Sequence, residues 1–238
     1  MDLEAALFDL DDTLHDDSAA YHAAADEVAR EIAAEHGISA IELKAAYVAQ
    51  AEGFWQRLEA SQLAERMETI RIGLWKTALA TVGIYDENAA RASSARYVQA
   101  RTARLALFPG ARELLAALRA HGIRTGLLTN GFSETHREKI AVLGLVESFD
   151  AIFIADEVGM CKPDPLLFAH ACAQLKSSPS RTVMVGDRYD RDIVGAHQAG
   201  IRTIWFNIRR ETLESGKRQP DYTVYDVSAV RRILLEES

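Results

Sequence analysis

The sequence predicts an α/β fold: a doubly wound parallel sheet that is interrupted by one large helical insertion. Beyond Pro109 and Gly110, short apolar runs alternate with helical patterns, which is typical of repeated βα units. Between Asp17 and Arg104 the chain is rich in Ala, Glu, Arg and Leu and has no proline, which indicates consecutive helices. The apolar run Ala5–Phe8 ends in an aspartate, as a buried parallel strand does, and would join the sheet from across the insertion.

The insertion is predicted to hold about four helices, judged from its length and from the breaks within it. Ser39 and Glu42 have the spacing of a capping box and should open one of these helices. Gly37, Gly53 and Gly83 are the candidate breaks between helices.

Outside the insertion, which takes residues 15–107, the chain is predicted to form the sheet and its helices. This part comprises residues 1–14 and 108–238. Helical stretches, several of them ended by a glycine, lead into apolar strands. The predicted strands after the insertion are Thr125–Leu128, Ala151–Ile154, Thr182–Val185, Thr203–Phe206 and a short one near Thr223–Tyr225.

Composition and charge exclude several classes of protein. Of 238 residues, 27 are Lys or Arg and 35 are Asp or Glu, a net charge of −8, which disfavours a general binder of nucleic acid polymers. The sequence has no apolar run of about 18 residues, so we expect no membrane span. The acidic N-terminus lacks the layout of a secretory signal, and Cys161 and Cys172 are expected to be free thiols. These features predict a cytoplasmic protein.

Carboxylates follow two of the predicted strands. Asp9 and Asp11 come after the first strand, on the same side of the extended chain. Asp187 follows the strand at 182–185 after one glycine. Because ligands of a parallel sheet bind at the carboxyl ends of its strands, neighbouring strands would bring Asp9 and Asp187 together. Carboxylate oxygens are ligands that Mg²⁺ prefers, so the sequence predicts a Mg²⁺ site there.

A phosphate site is predicted beside these carboxylates. Thr129, Asn130 and Gly131 form a turn at a third strand end, just before a helix, where backbone N–H groups bind phosphate oxygens. Lys162 follows a fourth strand, and Pro163 restricts its backbone. Taken singly, these features also fit an ordinary turn and a solvated lysine.

Four motifs, in this order, make the sequence resemble the haloacid dehalogenase-like (HAD) hydrolase superfamily, subfamily I. They are Phe8–Leu14, Leu128–Gly131, Lys162-Pro163 and Val185–Asp192. The insertion lies where that subfamily carries its helical C1 cap. Several details look most similar to the branch of pyrimidine 5'-nucleotidases and N-acylneuraminate-9-phosphatases, namely Thr129–Gly131, Glu138–Ile140, Phe149-Asp150, Lys162-Pro163 and Trp205–Asn207.

The resemblance implies a role for each motif residue. Asp9 is the expected nucleophile, which forms an aspartyl-phosphate, and Asp11 is the expected general acid and base. Thr129 and the backbone of Asn130 would bind phosphoryl oxygens, and Lys162 would neutralise charge.

The resemblance also implies a ligand set for Mg²⁺. The expected ligands are Asp9, the main-chain carbonyl of Asp11, and Asp187, while Asp192 would orient the waters of the ion. Asp190 does not fit the spacing of the family and is interpreted as a helix N-cap.

The implied activity is Mg²⁺-dependent hydrolysis of a small phosphorylated metabolite, either a nucleoside monophosphate or a sugar phosphate. A phosphomutase is an alternative, although that class usually has Gly where this chain has Asp12. A non-catalytic module that binds phosphometabolites is another. Haloacid dehalogenase chemistry is disfavoured, because those enzymes need no metal and lack an acid two residues after the nucleophile. We expect a monomer or a homodimer.

As a cap, the insertion offers candidate substrate contacts. Aromatic rings could stack on a base, and arginines could bind a second anion. The same residues also fit the core and the solvated faces of a helical domain. They are Phe54, Trp55, Arg57, Arg66, Arg71 and Trp75.

Overall fold

The computed structural model describes residues 3–57 and 65–236. Contacts within the chain define two compact units, one of Met1–Asp16 with Ala106–Ser238 and one of Asp17–Leu105. We call the first the sheet unit and the second the helical unit.

The sheet unit is built on a parallel sheet whose strands, in the described part of the chain, are β1 (Ala5–Phe8), β2 (Arg124–Thr129), β3 (Ala151–Ile154), β4 (Thr182–Gly186), β5 (Arg202–Phe206) and β6 (Tyr222–Val224). Their order is β3-β2-β1-β4-β5-β6. Every neighbouring pair is parallel, which confirms the predicted α/β class. All of β1 is buried at the centre, which explains its uninterrupted apolar sequence.

Over its described residues the helical unit contains α1 (Asp17–His36), α2 (Ala40–Gln56), α3 (Met67–Thr81) and α4 (Glu87–Thr102). Helix α2 begins at the predicted cap, since the N–H of Glu42 donates to Ser39 Oγ at 3.3 Å. The helices pack around an aromatic core, in which Trp75 stacks on Tyr47 with ring centroids 3.9 Å apart.

The candidate contacts of the helical unit differ in exposure. Trp75 and Arg71 are buried, and Trp75 belongs to the core of the unit. Phe54 and Trp55 are half-buried, with their rings edge to face. The remaining two, Arg57 and Arg66, are exposed.

The sheet is accompanied, in the described residues, by α5 (Ala111–Ala120), α6 (Ser133–Val142), α7 (Ala155–Val158), α8 (Pro165–Gln174), α9 (Val194–Gln198) and α10 (Val227–Leu235). Phe168 of α8 lies in one buried cluster with Leu7 of β1 and Met184 of β4. Asp190 does not begin a helix as expected, because a π-helical turn over Tyr189–Ile193 comes before α9. A membrane-spanning segment is not found among the helices of the described residues.

Candidate active site

Three strand ends meet at one edge of the sheet and carry predicted site residues. Strand β1 lies between β2 and β4. Asp9 directly follows β1, Thr129 ends β2, and Asp187 directly follows β4. The backbone N–H of Asp9 donates to the carbonyl of Val185 at 2.9 Å, so the pairing of β1 with β4 continues as far as Asp9.

The carboxyl groups of Asp9, Asp187 and Asp192 lie together, with one oxygen of each within 4.8 Å of the others. Lys162 lies among them, and its Nζ is 2.7 Å from Asp9 Oδ1 and 2.6 Å from Asp192 Oδ1. Lys162, Asp9 and Asp192 are all buried. The structure therefore brings together four of the residues that the sequence singled out.

One ammonium group does not offset three carboxylates, and the pKa values reflect this. Burial raises the pKa of Asp187 well above its usual range, and the charges of Asp9 and Asp192 raise it further. Burial also raises the pKa of Asp192 to about 6, although Lys162 opposes the rise. Burial alone would lower the pKa of Lys162, but the charges of Asp192 and Asp9 outweigh it and raise that pKa. A cluster of oxygen donors with excess negative charge fits a hard divalent cation such as Mg²⁺.

Gly186 makes room for the buried carboxyl group of Asp192. A Cβ built on Gly186 would meet Asp192 Oδ2 at 2.3 Å, so any larger residue would displace that group. The backbone N–H of Arg188 donates to the same oxygen at 3.0 Å. The interpretation of Asp190 as a helix N-cap was wrong: its carboxylate is exposed and pairs with the Arg188 side chain at 3.1 Å. The π-helical turn buries Asp192 and leaves Asp190 outside.

The side chain of Asn130 contacts the backbone of Lys162. Asn130 Nδ2 donates to the Lys162 carbonyl at 2.9 Å, and the N–H of Lys162 donates to Asn130 Oδ1 at 2.8 Å. The sequence predicted a role only for the backbone of Asn130. The structure gives the side chain of Asn130 a role as well, because it fixes the loop from which the Lys162 ammonium reaches Asp9.

The carboxyl group of Asp11 contacts a separate set of side chains. Lys139 Nζ lies 2.8 Å from Oδ1 and 2.7 Å from Oδ2. His15 Nε2 lies 2.8 Å from Oδ1, and His136 Nε2 lies 3.6 Å from Oδ2. Burial would raise the pKa of Asp11, but the charge of Lys139 and the contacts with His136 and His15 hold it well below its ordinary value. These contacts favour the ionised form of Asp11, which is the form that can accept a proton.

The three partners of Asp11 were missed by sequence reasoning. The available signals were weak: His15 lies four residues after Asp11, and His136 and Lys139 lie three apart on α6, hence on one helix face. The sequence contains no pattern that directs this face towards Asp11, which is 128 residues from Lys139.

Two further contacts hold the loops around the site. Asp12 has a φ of 56°, in the left-handed region, and its carboxylate pairs with Arg209 from the segment after β5. Trp205 Nε1 donates to the carbonyl of Asp187 at 2.7 Å. Together they connect the loops after β1 and β4 to the end of β5.

The chain belongs to the haloacid dehalogenase-like hydrolase family, whose sequence model matches residues 3–200. The predicted family and the prediction of a hydrolase are thus confirmed. The phosphoserine phosphatase of Thermus thermophilus is 32% identical over 99% of this chain and 100% of its own length. The pyrimidine 5'-nucleotidase PynA of Streptococcus pneumoniae is 30% identical over 92% of this chain and 90% of its own. The N-acylneuraminate-9-phosphatase of Mus musculus is 29% identical over 98% and 94%. All three names denote hydrolases of phosphoric monoesters.

Solved structures share the fold. The HAD-hydrolase YfnB from Bacillus subtilis, crystallised with magnesium, matches with a TM-score of 0.76 and 24% identity over 98% of this chain and 99% of that one. A 2-haloacid dehalogenase from Pseudomonas syringae matches with a TM-score of 0.68 and 27% identity over 99% of this chain and 100% of that one. Because the same fold serves dehalogenases and phosphatases, the reaction must be argued from the site residues.

Proposed function

We propose that the protein is a Mg²⁺-dependent phosphomonoester hydrolase acting on a small phosphorylated metabolite, a nucleoside monophosphate or a sugar phosphate, through an aspartyl-phosphate. One observation carries the proposal. The buried carboxylate of Asp9 lies at a strand end, in contact with the ammonium of Lys162 and within 4.8 Å of carboxylate oxygens of Asp187 and Asp192. A nucleophile placed beside an ammonium and a cation site can receive a phosphoryl dianion that it would otherwise repel.

The residues present fit a magnesium ion because they offer only hard oxygen donors and carry uncompensated negative charge. Asp9, Asp187 and the main-chain carbonyl of Asp11 would hold it, and Asp192 would orient its waters. When bound, Mg²⁺ supplies charge neutralisation at the phosphoryl oxygens.

The reaction that these side chains support has two steps. In the first, a carboxylate oxygen of Asp9 attacks phosphorus while the bond from phosphorus to the leaving oxygen breaks, and Asp11 gives that oxygen a proton that it has first taken up from solvent. In the second, the Asp11 carboxylate takes a proton from the water that attacks phosphorus, and the carboxylate of Asp9 is released. The Thr129 hydroxyl and the backbone N–H of Asn130 bind phosphoryl oxygens, and Lys162 neutralises charge throughout.

Two carboxyl groups favour phosphoryl transfer over haloacid dehalogenation. Asp11 stands two residues after Asp9, where dehalogenases of this superfamily have no acid. An alkoxide that leaves phosphorus needs a proton, whereas a halide does not. Asp187 adds the third carboxylate of the metal site, which a reaction without a metal does not require.

We propose that the helical unit is the cap of this site. Its exposed Arg57 and Arg66 and its half-buried Phe54 and Trp55 are candidates for binding the part of the substrate remote from the phosphate. Contacts of this kind let binding energy outside the reacting group contribute to the rate.

The test is the hydrolysis of p-nitrophenyl phosphate with Mg²⁺ and with EDTA. We expect turnover only with Mg²⁺, and we expect Asp187→Asn to abolish it. Asp190→Asn is the matched control, since that carboxylate lies three residues away, is exposed and pairs with Arg188. It should leave turnover unchanged.

Equal rates with Mg²⁺ and EDTA would contradict the role of the metal. Binding of phosphate without turnover would favour the non-catalytic module, and transfer of the phosphoryl group to a second sugar would favour a mutase. A panel of nucleoside monophosphates, sugar phosphates, phosphoserine and phosphoglycolate then identifies the substrate class by kcat/KM.

A further inference from the structure

Lys139 is a buried cation that the mechanism above does not use. Its side chain is only 4% exposed, and its ammonium contacts both carboxylate oxygens of Asp11. Lys139 lies on α6, whereas Asp11 lies in the loop after β1. Burying an ammonium group costs free energy unless the group is paired. The folded state therefore depends on the ion pair between Lys139 and Asp11 more than it would on an exposed ion pair.

Two histidines complete the surroundings of Asp11. His15 and His136 are both buried, and each directs Nε2 towards one oxygen of the Asp11 carboxylate. His136 is itself fixed, because its Nδ1 lies 3.1 Å from the carbonyl of Phe132 and a Cβ on Gly131 would meet its ring at 2.1 Å. The side chain of Asp11 is still 30% exposed. Asp11 is therefore only partly covered, although buried nitrogen-bearing side chains contact both of its carboxylate oxygens.

We propose that Lys139, aided by His15 and His136, is a positioning residue that acts through Asp11. It holds the carboxyl group of Asp11 in one orientation, in which that group meets the leaving oxygen of the substrate. The inference rests on the proposed function, because it requires Asp11 as the donor of the proton to the leaving group. Proton transfer needs the donor oxygen of Asp11 and the leaving oxygen to lie about 2.6–3.2 Å apart. A carboxyl group that rotates freely reaches this distance less often than one held in a single orientation.

This role predicts a dependence on the leaving group. A weakly acidic alcohol or phenol leaves slowly unless it receives a proton, whereas p-nitrophenol is acidic enough to leave as its anion. Phenyl phosphate and p-nitrophenyl phosphate are nearly the same size, so they differ mainly in how much they need the proton. Loss of the positioning residue should therefore slow formation of the aspartyl-phosphate from phenyl phosphate and largely spare its formation from p-nitrophenyl phosphate. Hydrolysis of the aspartyl-phosphate, in which Asp11 is the base, is the same step for both esters.

The variant for the test is Lys139→Met, which keeps the length of the side chain and removes the ammonium. With saturating Mg²⁺ we expect kcat/KM, which reports the steps up to release of the leaving group, to fall about 10-fold to 100-fold for phenyl phosphate and less than about 3-fold for p-nitrophenyl phosphate. Lys139→Arg should restore part of the loss in kcat/KM. Arg137→Met is the matched control: it removes a cation from the same helix, but that cation pairs with Glu157 at 2.5 Å. It should change neither rate.

A double variant tests whether Lys139 acts through Asp11. In an Asp11→Asn background, Lys139→Met should cause no further loss with phenyl phosphate, because two residues that act as one unit are not additive. A further loss would overturn the proposal, as would an equal loss of kcat/KM for both esters in the single variant or no loss for either.

His15→Asn is the second variant, and it carries the test if Lys139→Met does not yield folded protein. The shorter amide cannot reach Asp11, so the same selective loss of kcat/KM with phenyl phosphate is expected, and an equal loss of kcat/KM for both esters overturns the proposal. A wild-type protein that hydrolyses neither ester with Mg²⁺ contradicts the proposed function instead.

Discussion

The amide of Asn130 and the backbone of Lys162 form a closed pair, in which each donates one hydrogen bond to the other. The pair joins the turn after β2 to the loop that carries Lys162, 32 residues further along the chain. The Lys162 ammonium, in turn, lies 2.7 Å from Asp9. The position of the Lys162 ammonium beside Asp9 thus depends on the side chain of Asn130, which bonds to the backbone of Lys162 and not to its ammonium group.

We expect Asn130→Ala to lower kcat about 10-fold to 100-fold, because a small misplacement of the Lys162 ammonium weakens the neutralisation of charge at Asp9. The loss of two hydrogen bonds should also lower the free energy of unfolding by about 1–3 kcal/mol. Steady-state kinetics and urea unfolding measure the two effects separately.

Asn207→Ala is the matched control for this prediction. Asn207 forms the same reciprocal pair with the backbone of Glu211, at 2.9 and 2.8 Å. The control should lose a similar free energy of unfolding, while kcat falls far less. Equal losses of kcat in the two variants would show that Asn130 matters only for stability.

Much of the arrangement could be predicted from the sequence because strands and their ends are encoded locally. The apolar runs that stop before Asp9 and at Gly186 mark two strand ends, and parallel pairing brings such ends to one edge. The contacts of side chains do not follow from such local patterns. Lys139 reaches Asp11 only because the fold turns one face of α6 towards the loop after β1.

The difference between Asp190 and Asp192 has a similar cause. Both lie shortly after the same strand, and both fit the start of a helix. A π-helical turn over Tyr189–Ile193 decides which one is buried, and short turns of this kind have no distinct sequence pattern. The motif spacing of the family assigned the site role to Asp192 and not to Asp190, which helix propensity alone could not do.

Asp9→Asn should reduce kcat by more than about 10³-fold, because the amide cannot form the covalent intermediate. The fold should remain intact, and the metal-free protein should lose little stability, since the change removes a charge that now raises the pKa of Asp187. Circular dichroism and thermal unfolding check the fold beside the kinetic assay. Activity near that of the wild type would refute the assignment of the nucleophile.

The stability of the metal-free protein should depend on pH through the carboxylate cluster. The pKa of Asp192 is about 6 in the folded state, against about 3.9 for an ordinary aspartate. A raised pKa means that the folded protein holds the proton more tightly. The contribution to stability is therefore complete below about pH 4 and is lost as the pH rises through about 6. Asp187, whose pKa is raised as well, acts in the same direction.

Mg²⁺ should reverse this loss, because it binds the ionised carboxylates of the folded state. We expect the difference in Tm between samples with Mg²⁺ and with EDTA to widen as the pH rises from about 4 to about 7. Asp192→Asn should reduce the widening, and Asp190→Asn, which removes an exposed carboxylate, should not. A difference in Tm that stays constant with pH would exclude the cluster as the metal site.

Gly186→Ala should impair metal binding and turnover through Asp192. The new Cβ would meet the Asp192 carboxylate at 2.3 Å, so this buried group must leave its present position, at a cost of about 1–3 kcal/mol in stability. Gly73→Ala is the opposite case, because Gly73 lies within α3 with no atom near the added Cβ. That substitution should raise the free energy of unfolding by about 0.5–1 kcal/mol and leave kcat unchanged. If Gly186→Ala kept the Mg²⁺ affinity of the wild type, the carboxyl group of Asp192 would not need its present position to serve the metal.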